Sequence, residues 1–522
     1  MKSLNPSGRQ LADNLLRLDQ HETQQNKLRQ TLERVNVVGA GGTLTAAYEQ
    51  LRNAAENTEE HLLLQNAIRR FYRQLFLTRD GNLIRESGQE LTVELTLAGY
   101  LPNDYLTIDQ VKQISQLAHR YYQAYQSLMG TKDVSADSAQ KWTLDVLAVE
   151  AESVINDHSR DTAFIEFAYT QLAEIIQPER ALPTTARDDV GVILFAAIHE
   201  ALLKSDMAVI RTQILKRYQM SVDSLEQYIA FNRRIDALFD SESVERMRRL
   251  VDRQGAPFRV LRRMIEENPE FIGLLDRPDA FLSSFEQQVN NEYARTAKRI
   301  NRAIVRSVIF LIITKFLVGI AIEIPYDYIA YGEIIWLPLL INLFFPPIYM
   351  MALRATHTLP GEGNTRALID RTEQMLYGDS STVAASSRAE RKGYSPLFSV
   401  LYLVSGLAIF AGTTYLLLLL QFSLVHIVIF FVFLSAASFL GFRLSRFIRE
   451  LELVRSAQSG MTFVRDLLYL PFVVVGQWMS DKYSRVNIVT IVLDMLIELP
   501  LKTILRLIRQ WNAFIDDRKD RI

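Results

Sequence analysis

The stretch from Val305 to Arg354 constrains the fold of this 522-residue chain more than any other part. It contains two apolar runs, at about 307–324 and 334–353, which are separated by a short acidic segment rich in tyrosine. Each run approaches the ~20 residues that a helix needs to cross the hydrocarbon core of a bilayer. Because the runs follow each other directly and arginine flanks both outer ends, the stretch predicts a transmembrane hairpin.

A second hairpin is predicted at 395–442. Its two apolar spans, about 397–420 and 424–442, are joined by a few uncharged residues. Folding the chain at this turn places Ala408 level with Ala437, and each of them begins a small-xxx-small step that ends in glycine. Small side chains let helix backbones approach closely, so we expect the two spans to pack on each other at these steps.

The distribution of charge predicts the orientation in the membrane. Basic residues precede the first span, occupy the loop 355–394 and follow the last span, whereas the segment 325–333 carries acidic charge alone. The basic positions are Arg295, Lys298, Arg299, Arg302, Arg306, Arg354, Arg366, Arg371, Arg388, Arg391, Lys392, Arg443, Arg446 and Arg449. By the positive-inside rule, a multi-pass protein of the cell membrane is predicted, with both termini in the cytoplasm.

Ahead of the hairpins, the chain is polar and patterned for helices. Residues 43–300 show successive amphipathic segments, and a capping box at Thr107 and Gln110 opens one of them. An amphipathic arm, residues 1–38, precedes this domain, and a charged gap interrupts its apolar seam. Breaker residues near positions 134 and 182 are candidate subdomain joints. The cytoplasmic domain is therefore predicted to be all-α.

Motifs for catalysis or cofactor binding are weak. Gly39, Gly41 and Gly42 stand between helical patterns rather than after a strand, so a flexible joint is favoured over a dinucleotide-binding loop. His199 begins a partial zinc-protease motif, but position 203 is leucine and the second ligand is absent. The chain has no cysteine, which excludes thiol nucleophiles and cysteine-ligated metals. We predict no enzymatic activity, cofactor or metal.

The C-terminal region, 443–522, is predicted to hold amphipathic helices and a polar tail. The segment 466–479 is apolar but short and contains Pro471, which favours an interfacial or re-entrant element. A following helix carries one polar stripe and could lie in the headgroup plane or dock on the bundle. The stripe is formed by Asn487, Thr490, Asp494, Glu498 and Lys502. Whether 467–505 spans the membrane, re-enters it or lies on it stays open.

Lys315 is the sharpest chemical feature of the predicted membrane region, because it lies at the middle of the first span. A cation at mid-membrane costs at least ~2.5–3.5 kcal/mol on insertion scales, so it must face a partner, water or the bundle interior. Folding the first hairpin about residue 329 makes Asn342 its nearest candidate partner, while Glu323 is expected near the outer interface. These three side chains form either a structural contact between hairpins or a proton or ion relay.

Together these patterns predict an N-terminal multi-helix cytoplasmic domain followed by two transmembrane hairpins and a C-terminal interfacial helical region. The favoured function is a membrane-tethered scaffold or interaction protein, whose partners are the lipid bilayer and a protein bound by the N-terminal domain. An ion- or proton-coupled transporter or channel centred on Lys315 is the main alternative, and a membrane-bound enzyme is the third. The balance of 58 basic against 59 acidic residues does not favour nucleic acid as a partner. The sequence predicts no particular oligomeric state.

Overall fold

The computed structural model describes residues 3–29, 32–37, 46, 49–50, 53, 60–177, 182, 188–356, 359–378, 396–454, 460–485 and 511. Over these residues the chain is all-helical, without strands, as the sequence predicts. Three predicted features lie outside the described residues. They are the glycine-rich segment 39–42, most of the C-terminal part of loop 355–394, and the polar stripe that contains Asp494, Glu498 and Lys502.

The helices before Pro278 form the part that the sequence predicts to be soluble, here called the soluble part, and they are of short to medium length. They are α1 (Pro6–Arg29), α2 (Leu63–Thr78), α3 (Gly81–Arg85), α4 (Ser87–Leu97), α5 (Ile108–Met129), α6 (Ala136–Ile155), α7 (Ser159–Ile176), α8 (Val190–Ile198), α9 (Met207–Arg217), α10 (Leu225–Phe239), α11 (Glu242–Gln254), α12 (Ala256–Glu267) and α13 (Phe271–Leu275). The predicted capping box is confirmed: the Thr107 hydroxyl accepts a hydrogen bond from the backbone N–H of Gln110, and the side-chain oxygen of Gln110 accepts one from the backbone N–H of Thr107.

One hydrophobic cluster runs through the whole soluble part. It contains buried residues from both sides of positions 134 and 182, including Trp142 and Phe195. The N-terminal helix α1 belongs to it, since Leu11 and Leu15 are buried in the same cluster and α1 packs on α7. The amphipathic face of α1 is therefore covered by the chain itself.

The helices from Pro278 onward form what is here called the membrane region, because it holds the predicted spans. They are α14 (Pro278–Val318), α15 (Ile324–Tyr331), α16 (Trp336–Thr356), α18 (Pro396–Leu419), α19 (Leu424–Arg449) and α20 (Gly460–Arg485), with the shorter α17 (Glu362–Tyr377) between α16 and α18. Within the described residues, four helical segments are long and apolar enough to cross a membrane, namely Pro278–Tyr331, Trp336–Arg354, Val400–Leu419 and Leu424–Arg449. Their outer faces expose apolar side chains such as Phe310, Phe316 and Leu403, as helices in contact with lipid do.

The acidic, tyrosine-rich segment is not the hairpin turn that the sequence predicts. The helix passes from α14 through a wide π-turn at Gly319–Glu323 into α15, and the chain reverses only after Gly332, whose φ is 77°. Pro325 follows the π-turn directly, and the helix continues through it without a break. The helix therefore extends to Tyr331 and carries Asp327 on it.

Packing between the spans also differs from the prediction. The central helix is α19, which packs on α14, α16 and, most extensively, α20. Gly441 faces Leu353 of α16, and Gly476 of α20 lies against the backbone of α19 at Ser435. No described atom lies within 4 Å of the position that a Cβ would take at Gly412. The expected close packing of the Ala408 and Ala437 steps is thus wrong, because α20 takes the small-residue contact with α19.

The soluble core continues into the base of the membrane helices. Phe281, Phe285 and Val289 on α14 are buried in the soluble cluster, as is Leu451 just after α19. Asn364 of α17 joins these elements through its side chain. It donates hydrogen bonds to the Tyr293 hydroxyl and the Leu451 carbonyl, both at 2.8 Å, and accepts bonds from the backbone N–H groups of Leu453 and Val454.

Candidate intramembrane polar site

A cluster of polar side chains lies between α14–α15, α16 and α19, within the segments long enough to span a membrane. Its members are Lys315, Glu323, Asp327, Asn342 and His426, and each is at most 1% exposed. Burial of this degree is unusual for charged residues unless they are paired. Within a membrane, such residues face the bundle interior and mark either helix contacts or functional sites.

The π-turn brings Lys315 and Glu323 to the same face of the helix. In a regular α-helix, residues eight positions apart are rotated by about 80° from each other, at about 100° per residue. A π-turn accommodates one additional residue, so the eight positions behave as seven, which drift by only about 20°. The Lys315 ammonium accordingly donates a hydrogen bond to Glu323 Oε1, and both side chains are 1% exposed.

Glu323, rather than Asn342, is therefore the direct partner of Lys315. The prediction was wrong because it assumed a regular helix ending at residue 324, which places Glu323 at the outer interface. The ring of Phe433 on α19 covers the other side of the ammonium, with its centroid 4.9 Å from Nζ. A cation over an aromatic face gains electrostatic stabilisation, and this contact adds α19 to the ion pair.

Asn342 joins three helices at this level. Its Nδ2 donates a hydrogen bond of 3.4 Å to Glu323 Oε1 and one of 3.2 Å to the backbone carbonyl of His426. The sequence predicts Lys315, Asn342 and Glu323 as intramembrane candidates, and the structure brings all three together around one carboxylate oxygen. The contacts connect the first hairpin to α19.

Asp327 and His426 extend the cluster towards the turns at its far end. His426 Nε2 lies 3.5 Å from Asp327 Oδ1, and its Nδ1 lies 2.8 Å from the hydroxyl of Ser423, which caps α19. The other Asp327 oxygen accepts a hydrogen bond of 3.1 Å from the backbone N–H of Ile335. This bond fixes the connection between α15 and α16.

Sequence reasoning missed both of these residues as site members. The sequence pattern places Asp327 in the acidic segment between the two predicted spans, although it stands four positions after Glu323 and would share its face on a continuing helix. His426 lies three residues inside an apolar run, where one histidine carries no pattern of its own. A signal was nevertheless present, because an ionisable residue inside a predicted span is a site candidate by default.

Several polar atoms of the cluster have no hydrogen-bond partner within the described part of the chain. They are Glu323 Oε2, Asp327 Oδ1, Asn342 Oδ1 and His426 Nε2. Nearly all buried polar atoms in native structures are hydrogen-bonded, so each exception calls for an explanation such as a bound proton, water or ion. Among the described residues, no group of three or more His, Asp or Glu side chains is arranged to hold a metal ion.

In the soluble part, by contrast, the fully buried guanidinium of Arg211 is paired with a carboxylate and hydrogen-bonded to its neighbours. Arg211 on α9 is fully buried and donates hydrogen bonds to Asn232 at 2.7 Å and Asp236 at 2.5 Å, both on α10. The indole N–H of Trp142 reaches the same aspartate at 2.8 Å. This cluster holds α6, α9 and α10 together and has the character of a structural contact.

The chain matches no known family model, no curated protein and no solved structure. A proposal for the function therefore depends on the geometry of the cluster and on its place in the fold.

Proposed function

We propose that the chain is a multi-pass protein of the cell membrane that holds a rigid helical domain at the cytoplasmic surface, where it acts as a membrane-tethered scaffold. The observation that carries this proposal is the continuity of the soluble hydrophobic core with α14, α17 and the residues after α19. A domain joined by flexible linkers would share no core with the spans. Here a partner bound to the domain would be held in a defined orientation to the membrane.

The predicted orientation has structural support from the positions of the basic residues. Arg299 on α14 stacks on the Phe447 ring of α19 at 4.3 Å, and Arg449 lies 4.7 Å from the Phe442 ring. These arginines stand at the end of the spans that joins the soluble core. The positive-inside rule then favours a cytoplasmic domain and cytoplasmic termini.

The orientation is tested by single cysteines, since the chain has none. Leu424→Cys places a thiol on a side chain that is 77% exposed at the start of α19, and Lys132→Cys places one in an exposed turn of the soluble domain. A membrane-impermeant maleimide on intact cells should label position 424 and label position 132 only after lysis. The reverse pattern would refute the proposed orientation.

A second candidate function, an ion- or proton-coupled transporter or channel, is favoured by the incomplete hydrogen bonding of the intramembrane cluster. In that function the unpartnered oxygens and the imidazole would hold the transported or coupling ion near mid-membrane, as ionisable residues do in pumps and transporters.

One variant separates the two candidates. Lys315→Met combined with Glu323→Gln neutralises the ion pair and leaves no unpaired charge at these positions. A scaffold should recover the same bound proteins from native membranes with this variant as with the wild type. A transporter should lose proton or cation flux in reconstituted vesicles. Flux that persists in the variant at the wild-type rate would refute a transporter centred on Lys315.

A further inference from the structure

We propose that Asp327 and His426 form a proton-binding site, which takes up one proton from the membrane face reached by Ser423. This goes beyond the scaffold function and rests on no part of it. For the transporter candidate it names the ion, a proton, and the residues that receive it.

The charge of the cluster supports the uptake of a single positive charge. Lys315 contributes one positive charge, Glu323 and Asp327 contribute two negative charges, and a neutral His426 contributes none. The Lys315–Glu323 pair is internally neutral, so the excess negative charge resides on Asp327. An uncompensated buried carboxylate is strongly unfavourable, and one added proton makes the whole cluster neutral.

The geometry shows where that proton belongs. His426 Nε2 and Asp327 Oδ1 face each other at 3.5 Å, and both lack a hydrogen-bond partner among the described residues. A contraction of about 0.6–0.8 Å brings the pair into the range of a charge-assisted hydrogen bond. The proton is transferred from a hydronium ion at the surface, which becomes water, and imidazole becomes imidazolium. The imidazolium then donates its Nε2–H to Asp327.

Ser423 provides the route from the surface. It is half-buried at the start of α19, and its hydroxyl contacts His426 Nδ1 at 2.8 Å. When the Ser423 oxygen takes up a proton from the surface, the hydroxyl releases its own proton to Nδ1. The opposite ring nitrogen, Nε2, faces Asp327. Because Ser423 engages one ring nitrogen and Asp327 faces the other, the imidazole connects the surface to the buried carboxylate.

Other titratable groups surround the pair on its neighbouring elements. Lys315 and Glu323 lie deeper along the first helix, and their mutual pairing leaves Asp327 as the acceptor. The Tyr326 ring stands edge-on to His426 at a centroid distance of 6.4 Å, and Tyr331 packs against Tyr326 at 6.2 Å. From α16 the cluster receives the neutral amide of Asn342. These groups favour a positive charge on His426 through the two carboxylates and oppose it through Lys315.

A proton suits the pair better than a metal cation. Hard cations require several oxygen ligands in a closed shell, and the described residues offer no such group of three acidic or histidine side chains. The imidazole nitrogen next to Asp327 is a poor ligand for sodium or potassium, whereas a ring nitrogen with a free lone pair accepts a proton.

The test observes His426 directly. The full-length protein, with ¹⁵N-labelled histidine, is placed in phosphatidylcholine nanodiscs, and its ring nitrogen resonances are followed from about pH 8 to about pH 5. The His426 signal is identified by its loss in His426→Gln. We expect it to change from a neutral tautomer to imidazolium within this range, and to require more acid in Asp327→Asn. His21→Gln, on the exposed side of α1, is the matched control and should leave the His426 titration unchanged.

Each outcome decides the matter. A His426 ring that stays neutral throughout overturns the proposal from the wild-type protein alone, whether or not Asp327→Asn folds. Identical titration in a folded Asp327→Asn also overturns it. Displacement of the proton by sodium chloride at fixed pH would show a cation site instead. Titration without flux refutes the transporter and leaves the proton site standing, whereas flux without titration refutes this proposal alone.

Discussion

The substitution Lys315→Met tests how much the Lys315–Glu323 ion pair contributes to the stability of the membrane region. Lys315 and Glu323 are both buried and hydrogen-bonded to each other. Removing one partner of a buried pair leaves the other charge uncompensated, and such losses are about 3–5 kcal/mol. The Asn342 amide stays within 3.4 Å of the carboxylate and offsets part of this cost. We therefore expect Lys315→Met to lower the free energy of unfolding by about 3 kcal/mol.

Neutralising both partners should cost far less than neutralising one. Replacing a whole buried ion pair by uncharged groups of similar volume is often neutral or stabilising. With Glu323→Gln, the side-chain amide retains an acceptor for Asn342. The double variant should lie within about 1 kcal/mol of the wild type, which gives a coupling free energy of at least about 2 kcal/mol in a double-mutant cycle.

The measurement is unfolding by SDS titration in mixed micelles, followed by tryptophan fluorescence. Lys298→Met is the matched control, because Lys298 lies on the same helix but is exposed, and its loss should change stability by no more than about 0.5 kcal/mol. Additive effects of Lys315→Met and Glu323→Gln would refute the ion pair. A cost below about 1 kcal/mol for Lys315→Met would show that water or lipid headgroups reach the ammonium.

Three further substitutions test the packing and the soluble domain. Gly476→Ala should destabilise the α19–α20 contact by about 1–3 kcal/mol, because the added methyl group would overlap the Ser435 carbonyl. Gly412→Ala should be neutral or stabilising, because nothing described lies near its Cβ position. Thermal unfolding in detergent compares the two variants. Asn364→Ala removes the side-chain hydrogen bonds that join α14, α17 and the end of α19, and should lower the free energy of unfolding by about 3 kcal/mol. Limited proteolysis near Leu451 should become faster, and an unchanged cleavage rate would contradict the role of Asn364 in joining these elements. Burial lowers the pKa of His199 to about 4 from 6.5. The contribution of the neutral imidazole to the free energy of unfolding is therefore complete above pH 6.5, and up to about 3 kcal/mol of it is lost as the pH drops towards 4. In His199→Asn, denaturation at a series of pH values should show a free energy of unfolding that lacks this part of the pH dependence.

Local patterns in the sequence were sufficient to identify several elements. The capping box at Thr107 and Gln110 marks the start of α5, because its hydrogen bonds involve residues only three positions apart. In the part of the chain that the structure describes, four apolar segments indicate four candidate spans, because length and hydropathy decide whether a helix is able to cross a bilayer. Lys315 stands out for the same reason, since a charge inside such a segment requires a partner.

Other features depended on contacts that no local pattern contains. The α19–α20 contact needs Gly476 to meet Ser435, and these residues come together only when the last helix folds back on the bundle. The position of α1 is similar, because Leu11 and Leu15 are buried against helices more than a hundred residues away along the chain. An amphipathic face in sequence shows that something must cover it, but not what does.

The intramembrane cluster combines both kinds of information. The sequence by itself determined that this chain is helical, that it contains several apolar spans and that a lysine lies at the middle of one of them, because those properties follow from residue type and spacing. Only the tertiary structure determined that Lys315 pairs with Glu323 and that Asp327 faces His426. One π-turn rotates the first pair onto a single face, and the packing of α15 against α19 brings the second pair together from positions 99 residues apart in the sequence (426 − 327). Such a rotation depends on the energy of the whole bundle rather than on the five residues that form the turn.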